Sequence, residues 1–280
     1  MKELFTMWRH TRMIVLVALS AALYAAVLIP FKAFPLIPGI TEVRVAQVIP
    51  PVFSLLFGPA AAWGTAIGNL IGDIQGGTFG PGSAFGFVGN FYLGLIPYAL
   101  WGRLGPFSSG EEPAMRSGRQ VLEFIILTLI SAVACAVIIA WGLEVLRLFP
   151  FAVLGNIITL NNFLFPAVLG PVLLGLLYGR VKRWGLLWTD IMPEADISRG
   201  SGALGTLLAV VGSFGAFVVG NWLSIGVLGS PAFAAGFARQ GDPSLVGTGL
   251  VIWSLVPFML ALLLVLFTAR PRLGLRAAGR

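Results

Sequence analysis

Asn69 and Asp73 stand four residues apart in an otherwise apolar stretch, so a helix there would carry an amide and a carboxylate on one face. Arg44, Gln47, Asn90, Asn156, Asn161 and Asn162 punctuate other apolar runs. Such a set supplies hydrogen-bond donors, acceptors and one negative charge, which is the chemistry of ligand recognition rather than of bond cleavage. The chain has one His, His10, in a basic stretch, and one Cys, Cys135, inside an apolar run. These counts exclude a disulfide, a thiolate metal site and the histidine-dependent nucleophilic triads. With lysines only at positions 2, 32 and 182, no phosphate-binding P-loop exists, so any ATPase driving this protein lies on another chain. No cofactor or metal is expected.

The elements that must position these residues follow from composition. Only 10% of the 280 residues are charged, 58% are apolar and the mean hydropathy is +0.94. Soluble domains devote about a quarter of their residues to charges, so the expectation is an all-α polytopic membrane protein. Eight spans are read, over residues 13–29, 44–57, 60–75, 84–104, 119–143, 151–178, 203–228 and 249–268. The second and third are short and joined by Gly58-Pro59, a turn that no continuous helix can pass. The sixth contains Pro166 and Pro171 and is expected to kink or to begin as a loop. The first span is longer than the core of a signal peptide and is read as retained.

With the N terminus inside, 14 basic residues fall in inner segments (Lys2, Arg9, Arg12, Arg103, Arg116, Arg119, Arg180, Lys182, Arg183, Arg199, Arg270, Arg272, Arg276, Arg280) and four outside (Lys32, Arg44, Arg147, Arg239). The positive-inside rule therefore predicts cytoplasmic N and C termini. The net charge of +7 then needs no nucleic acid to explain it. On this topology Arg44, Gln47, Asn69, Asp73, Asn90, Asn156, Asn161 and Asn162 all fall in outer halves of spans and converge on an outward pocket. Phe79 and Phe91 are read as stacking surfaces for a small planar ligand. The loop over residues 35–41, apolar and rich in Pro and Gly, is read as a lid. Against this stands a packing role: each asparagine can equally join helices, and Arg44 with Asp73 can form a structural ion pair. For Asp73, a charge on a glycine-lined face, function is preferred. Glu123 and Glu144 are assigned to exposed span ends.

Gly64, Gly68, Gly72 and Gly76 form a ladder along span three, read as helix packing, and Ala18, Ala22 and Ala26 form another along span one. The runs Arg44-Val-Ala-Gln-Val-Ile-Pro-Pro-Val-Phe-Ser-Leu-Leu-Phe-Gly-Pro59, Gly68-Asn-Leu-Ile-Gly-Asp73 and Gly89-Asn90 resemble the substrate-binding (S) components of energy-coupling factor (ECF) vitamin transporters, over roughly residues 10–185. The resemblance implies a six-helix bundle in the plasma membrane that captures a vitamin-like micronutrient under a first-loop lid. It further implies docking on a transmembrane coupling subunit with two cytoplasmic ATPases, followed by toppling of the loaded bundle to release substrate inside. Ala18, Ala22 and Ala26 match the family's Ala-x-x-x-Ala docking face. Residues 1–188 would form the substrate-binding domain, 189–202 a cytoplasmic linker, and 203–280 a two-helix hairpin with a basic tail that the family usually lacks. Riboflavin-like, thiamine-precursor-like and queuosine-precursor-like ligands all remain open. The alternative is a stand-alone secondary transporter using Asp73 as its ion site. An intramembrane enzyme is disfavoured because the acids near spans are isolated from one another, and a scaffold role leaves the polar clustering unexplained.

Overall fold

The computed structural model of the chain describes residues 1–37, 41–228, 246–247 and 249–275. Residues 38–40 of the lid loop, Arg239, Arg276 and Arg280 lie outside the described residues. Helices appear at all eight expected stretches. After a single-turn α1 (Glu3–Thr6) come α2 (Thr11–Phe31), α3 (Ile49–Phe57), α4 (Pro59–Gln75), α5 (Gly82–Leu100), α6 (Gly118–Val145), α7 (Phe151–Arg183), a short α8 (Trp188–Ile191), α9 (Ala203–Leu228) and α10 (Gly249–Thr268). Six of them, α2, α5, α6, α7, α9 and α10, are long and apolar enough to cross a bilayer. The protein is a polytopic membrane protein, and the described residues are helical except for loops and one short hairpin. That hairpin, Pro35–Ile37 paired antiparallel with Thr41–Glu42, stands in the expected lid loop.

The two short helices are set by three prolines and one glycine. A 3₁₀ turn, Val45–Val48, leads into α3, whose Pro50 and Pro51 occupy its first turn, where a missing N–H costs nothing. Gly58 then ends α3 and starts α4 at φ +53°, and a Cβ there would lie 2.6 Å from the Trp188 ring. Only glycine satisfies both conditions. Pro166 and Pro171, in contrast, sit inside one unbroken 33-residue α7, so the sixth span neither begins as a loop nor stops at its prolines. Neighbouring helices make such interior prolines tolerable.

The glycine ladder is the seam between α2 and α4. A Cβ on Gly64 would fall 2.5 Å from Ser20 Cβ, on Gly68 2.7 Å from the Ala21 carbonyl, on Gly72 2.5 Å from Leu28, and on Gly76 2.5 Å from the Lys32 side chain. The face of α2 that meets this seam, Ser20, Tyr24 and Leu28, is fully buried. Ala18, Ala22 and Ala26 lie on the other side of α2, exposed together with Val15, Leu19 and Leu23.

The hairpin of α9 and α10 packs on α6 and α7, away from that exposed face of α2. Polar contacts fasten it: Trp141 Nε1 donates to the Ile252 carbonyl at 3.1 Å, and Tyr92 Oη to the Leu262 carbonyl at 2.7 Å. Glu144, fully buried at the end of α6, accepts from the amides of Phe151 (2.6 Å) and Gly247 (2.8 Å). At the opposite end Arg103 donates to the carbonyls of Gly200, Ser201, Arg270 and Pro271. Burial, with Arg272 beside it, lowers the pKa of this guanidinium. Glu123 is buried as well and accepts from the Gly102 and Ser109 amides at 2.6 and 2.7 Å. The assignment of Glu123 and Glu144 to exposed span ends is thereby corrected: each carboxylate satisfies loop or helix-start amides that have no partner within a helix.

Replacing Gly68 with Val should force α2 and α4 apart and cost about 1–3 kcal/mol. Thermal unfolding of the detergent-solubilised protein would show a lowered midpoint for Gly68→Val and an unchanged one for Gly80→Ala, where a Cβ meets nothing within 4 Å.

Candidate functional site

At one end of the bundle, opposite the end that holds Arg103 and the N-terminal segment, the C-terminal ends of α2 and α4 and the N-terminal part of α5 converge with the segment after the hairpin. Arg44, at the start of the 3₁₀ turn, donates through Nη1 to Asn69 Oδ1 at 3.0 Å, and its backbone N–H donates to Asn161 Oδ1 of α7 at 3.0 Å. Asn69 Nδ2 passes the connection to Asp73 Oδ2 at 3.4 Å. The four-residue spacing read from the sequence does place both on one face of α4. Gly86 of α5 makes the room, since a Cβ there would be 3.2 Å from Asn69 Nδ2.

The cation against Asp73 is Lys32, at the C-terminal end of α2. Its Nζ lies 3.2 Å from Asp73 Oδ1 and 3.0 Å from Thr78 Oγ1, and both charged side chains are about nine-tenths buried, at 11% exposure each. A cavity of about 150 Å³ opens beside this chain of contacts, lined by Arg44, Asn69, Asp73, Thr78 and Ser83 and closed by Ile139, Leu143, Leu148 and Ile158. It is a polar-floored, apolar-walled site of the kind that orients a small ligand.

Behind the cavity a second layer is fully buried. Asn90 Oδ1 accepts from Tyr24 Oη (3.1 Å) and Gln47 Nε2 (3.4 Å), while its Nδ2 donates to the Gly86 carbonyl at 2.8 Å. Asn162 Nδ2 donates to Cys135 Sγ at 3.2 Å. Among the described residues, the amide oxygens Gln47 Oε1 and Asn162 Oδ1 are buried without a hydrogen-bond partner. Orphaned carbonyls of this sort cost free energy until a donor reaches them.

Of the residues singled out from sequence, Arg44, Asn69 and Asp73 line the cavity, and Gln47, Asn90, Asn161 and Asn162 stand next to them or to their partners. Three lie elsewhere. Asn156 donates to Asn221 Oδ1 of α9 and to the Ala152 carbonyl, which makes it a joint between α7 and the hairpin. Phe91 packs edge-on against Trp63, ring centroids 4.9 Å apart, and lines a groove at the other end of the bundle. Phe79 is 63% exposed and does not line the cavity. Lys32 and Tyr24 escaped notice, although Ser20, Tyr24, Leu28 and Lys32 recur every four residues, half a turn from the alanine ladder, and thereby mark the buried face of α2.

Removing the cation should expose the cost of a buried carboxylate. Lys32→Met is expected to destabilise the protein by about 3 kcal/mol, and Asp73→Leu introduced with it should restore much of that loss. Additive losses in thermal or denaturant unfolding would mean that the two side chains do not form a coupled pair.

A family model described as QueT transporter matches residues 14–179, more than half of the chain, from α2 to the last turns of α7. No curated protein and no solved structure matches the chain. The matched span holds the cavity, Lys32, the glycine seam and the alanine face, and it stops before the α9–α10 hairpin. The ECF S-component resemblance and the matched family therefore agree, and the chain belongs to the QueT transporter family, a family of ECF substrate-binding components.

Proposed function

We propose that the protein is the substrate-capture subunit of an ECF importer in the plasma membrane and that its ligand is a queuosine precursor, a planar base of the deazaguanine type. The observation that carries this reading is the buried Asp73 carboxylate facing the cavity beside Arg44. A deazaguanine presents adjacent ring and amino N–H groups, which a carboxylate accepts in pairs, and a carbonyl oxygen, which a guanidinium donates to. The Asp73 carboxylate in the lining suits a donor-rich heterocycle, and Gln47 Oε1 and Asn162 Oδ1 are further unsatisfied acceptors in the layer behind it. Lys32 holds the Asp73 carboxylate in position before ligand arrives, which lowers the ordering cost of binding.

Arg44 links the lid to the floor: its backbone follows the hairpin, and its side chain reaches Asn69. Ligand contact with Arg44 thus bears directly on the hairpin read as the lid. On the membrane side, the exposed Ala18, Ala22 and Ala26 offer a small-residue face for close helix contact with the coupling subunit, which two ATPases drive. The α9–α10 hairpin packs on α6 and α7 and leaves this face open. Residues 1–188 form the binding unit and 203–280 the added hairpin, with both termini cytoplasmic.

The ligand test is to denature the purified protein and identify the released small molecule by mass spectrometry, then to titrate a deazaguanine base, riboflavin and a thiamine precursor by calorimetry. The deazaguanine should bind, and Asp73→Asn should weaken it by about tenfold or more, a loss of roughly 1.4 kcal/mol. Preference for another vitamin, or no binding at all, would overturn the assignment. Vesicles containing this chain alone separate the importer subunit from an ion-coupled transporter: uptake driven by an ion gradient without any ATPase would refute capture as its sole role. Ala22→Leu should abolish co-purification with the coupling module while leaving calorimetric binding intact.

A further inference from the structure

At the end of the bundle opposite Asp73, two cavities meet at Lys2, which lines both. The larger, about 540 Å³, is a groove almost wholly walled by side chains of three elements: Leu4 and Phe5 of the N-terminal turn, Phe87 and Phe91 of α5, and Leu263 and Phe267 of α10. Phe5 and Phe267 are 70% and 64% exposed and mark its open side. The second, about 470 Å³, is a shallow basin bearing Lys2, Ser198, Arg199 and Arg270, with Glu194 the single acid in its lining. Arg199 Nη2 pairs with Glu194 Oε2 at 2.7 Å, which leaves Lys2 and Arg270 as the basin's net positive charge.

An apolar slot that opens toward the hydrocarbon and runs into a basic basin at the membrane's edge matches one chemistry: an acyl chain joined at a fixed distance to an anionic headgroup. We propose that this composite site binds an anionic phospholipid, with one acyl chain in the groove between α5 and α10 and its phosphate over Lys2 and Arg270. Basic pockets beside membrane helices hold anionic headgroups in this way. An apolar peptide would fill the groove but leave the basin's charge unanswered. Free phosphate would answer the charge and leave the groove bare. The site requires the added hairpin, because α10 supplies one wall and the chain just after it supplies Arg270. It thereby gives α10 a role separate from substrate capture, and it stands whether or not the ligand assignment holds.

The full-length protein, purified and delipidated, would be titrated with phosphatidylglycerol, phosphatidylcholine and glycerol phosphate, with bound molecules counted by native mass spectrometry. Phosphatidylglycerol should be retained about tenfold more tightly than phosphatidylcholine, and the double variant Lys2→Gln/Arg270→Gln should remove that preference. Leu263→Trp, which fills the groove, should weaken both lipids. Variants that unfold are replaced by the single changes Lys2→Met and Arg270→Met, each expected to halve the preference on a logarithmic scale. Equal retention of the two phospholipids, binding of glycerol phosphate as tight as that of phosphatidylglycerol, or a preference untouched by the basic-residue variants would overturn the proposal.

Discussion

The close approach of α2 and α4 is the constraint on which the rest of the site depends. With nothing but hydrogens on Gly64, Gly68, Gly72 and Gly76, the two backbones come near enough for the Ser20–Tyr24–Leu28 face to be sealed and for Lys32 to reach Asp73. In a bilayer no hydrophobic force draws helices together, so van der Waals contact over such a seam and the polar bonds it permits must supply the association. A helix pair held a few ångströms farther apart would leave Lys32 and Asp73 as two separate buried charges, each far more costly than the pair.

The membrane setting, the helix positions and the identity of several cavity residues were legible because they rest on local rules. Hydropathy marked each apolar stretch, Gly58-Pro59 marked the break between α3 and α4, and the spacing of Asn69 and Asp73 marked a shared face. Pairing between helices was less legible. Asn90 and Asn156 look alike in sequence, each a Gly-Asn pair in an apolar run, yet one sits behind the cavity and the other binds Asn221 on a different helix. Lys32 counted only as an outer charge, since no local pattern says that it folds back onto α4. The buried state of Glu123 and Glu144 was hidden for a related reason: apart from the Ser109 hydroxyl, the partners named for them are main-chain amides, and amides leave no trace in side-chain composition.

α2 presents two unlike faces, and the fold uses both. Its buried side carries Tyr24 and Lys32 into the polar layers around the cavity, and its outer side, beyond Arg12 in the first turn, carries small and aliphatic residues. Because the helix is continuous over 21 residues, any displacement of the outer face moves the Tyr24–Asn90 and Lys32–Asp73 contacts with it.

The attachment of the α9–α10 hairpin bears on how the chain tolerates change. Glu144 and Arg103 hold it at opposite ends, and all the partners named for them there are main-chain atoms: two amides for the acid, four carbonyls for the base. A bond to the backbone is indifferent to the side chain borne by the residue that makes it. The linkers can therefore vary at positions such as Ser201 while the hairpin keeps its place, so long as these two anchors and the positive-φ glycines Gly200, Gly202 and Gly247 persist. Substitution tolerance in this region should be uneven: Ser201 offers Arg103 only its carbonyl, whereas Gly200 and Gly202, at φ +139° and +65°, require glycine, and Glu144 and Arg103 must persist.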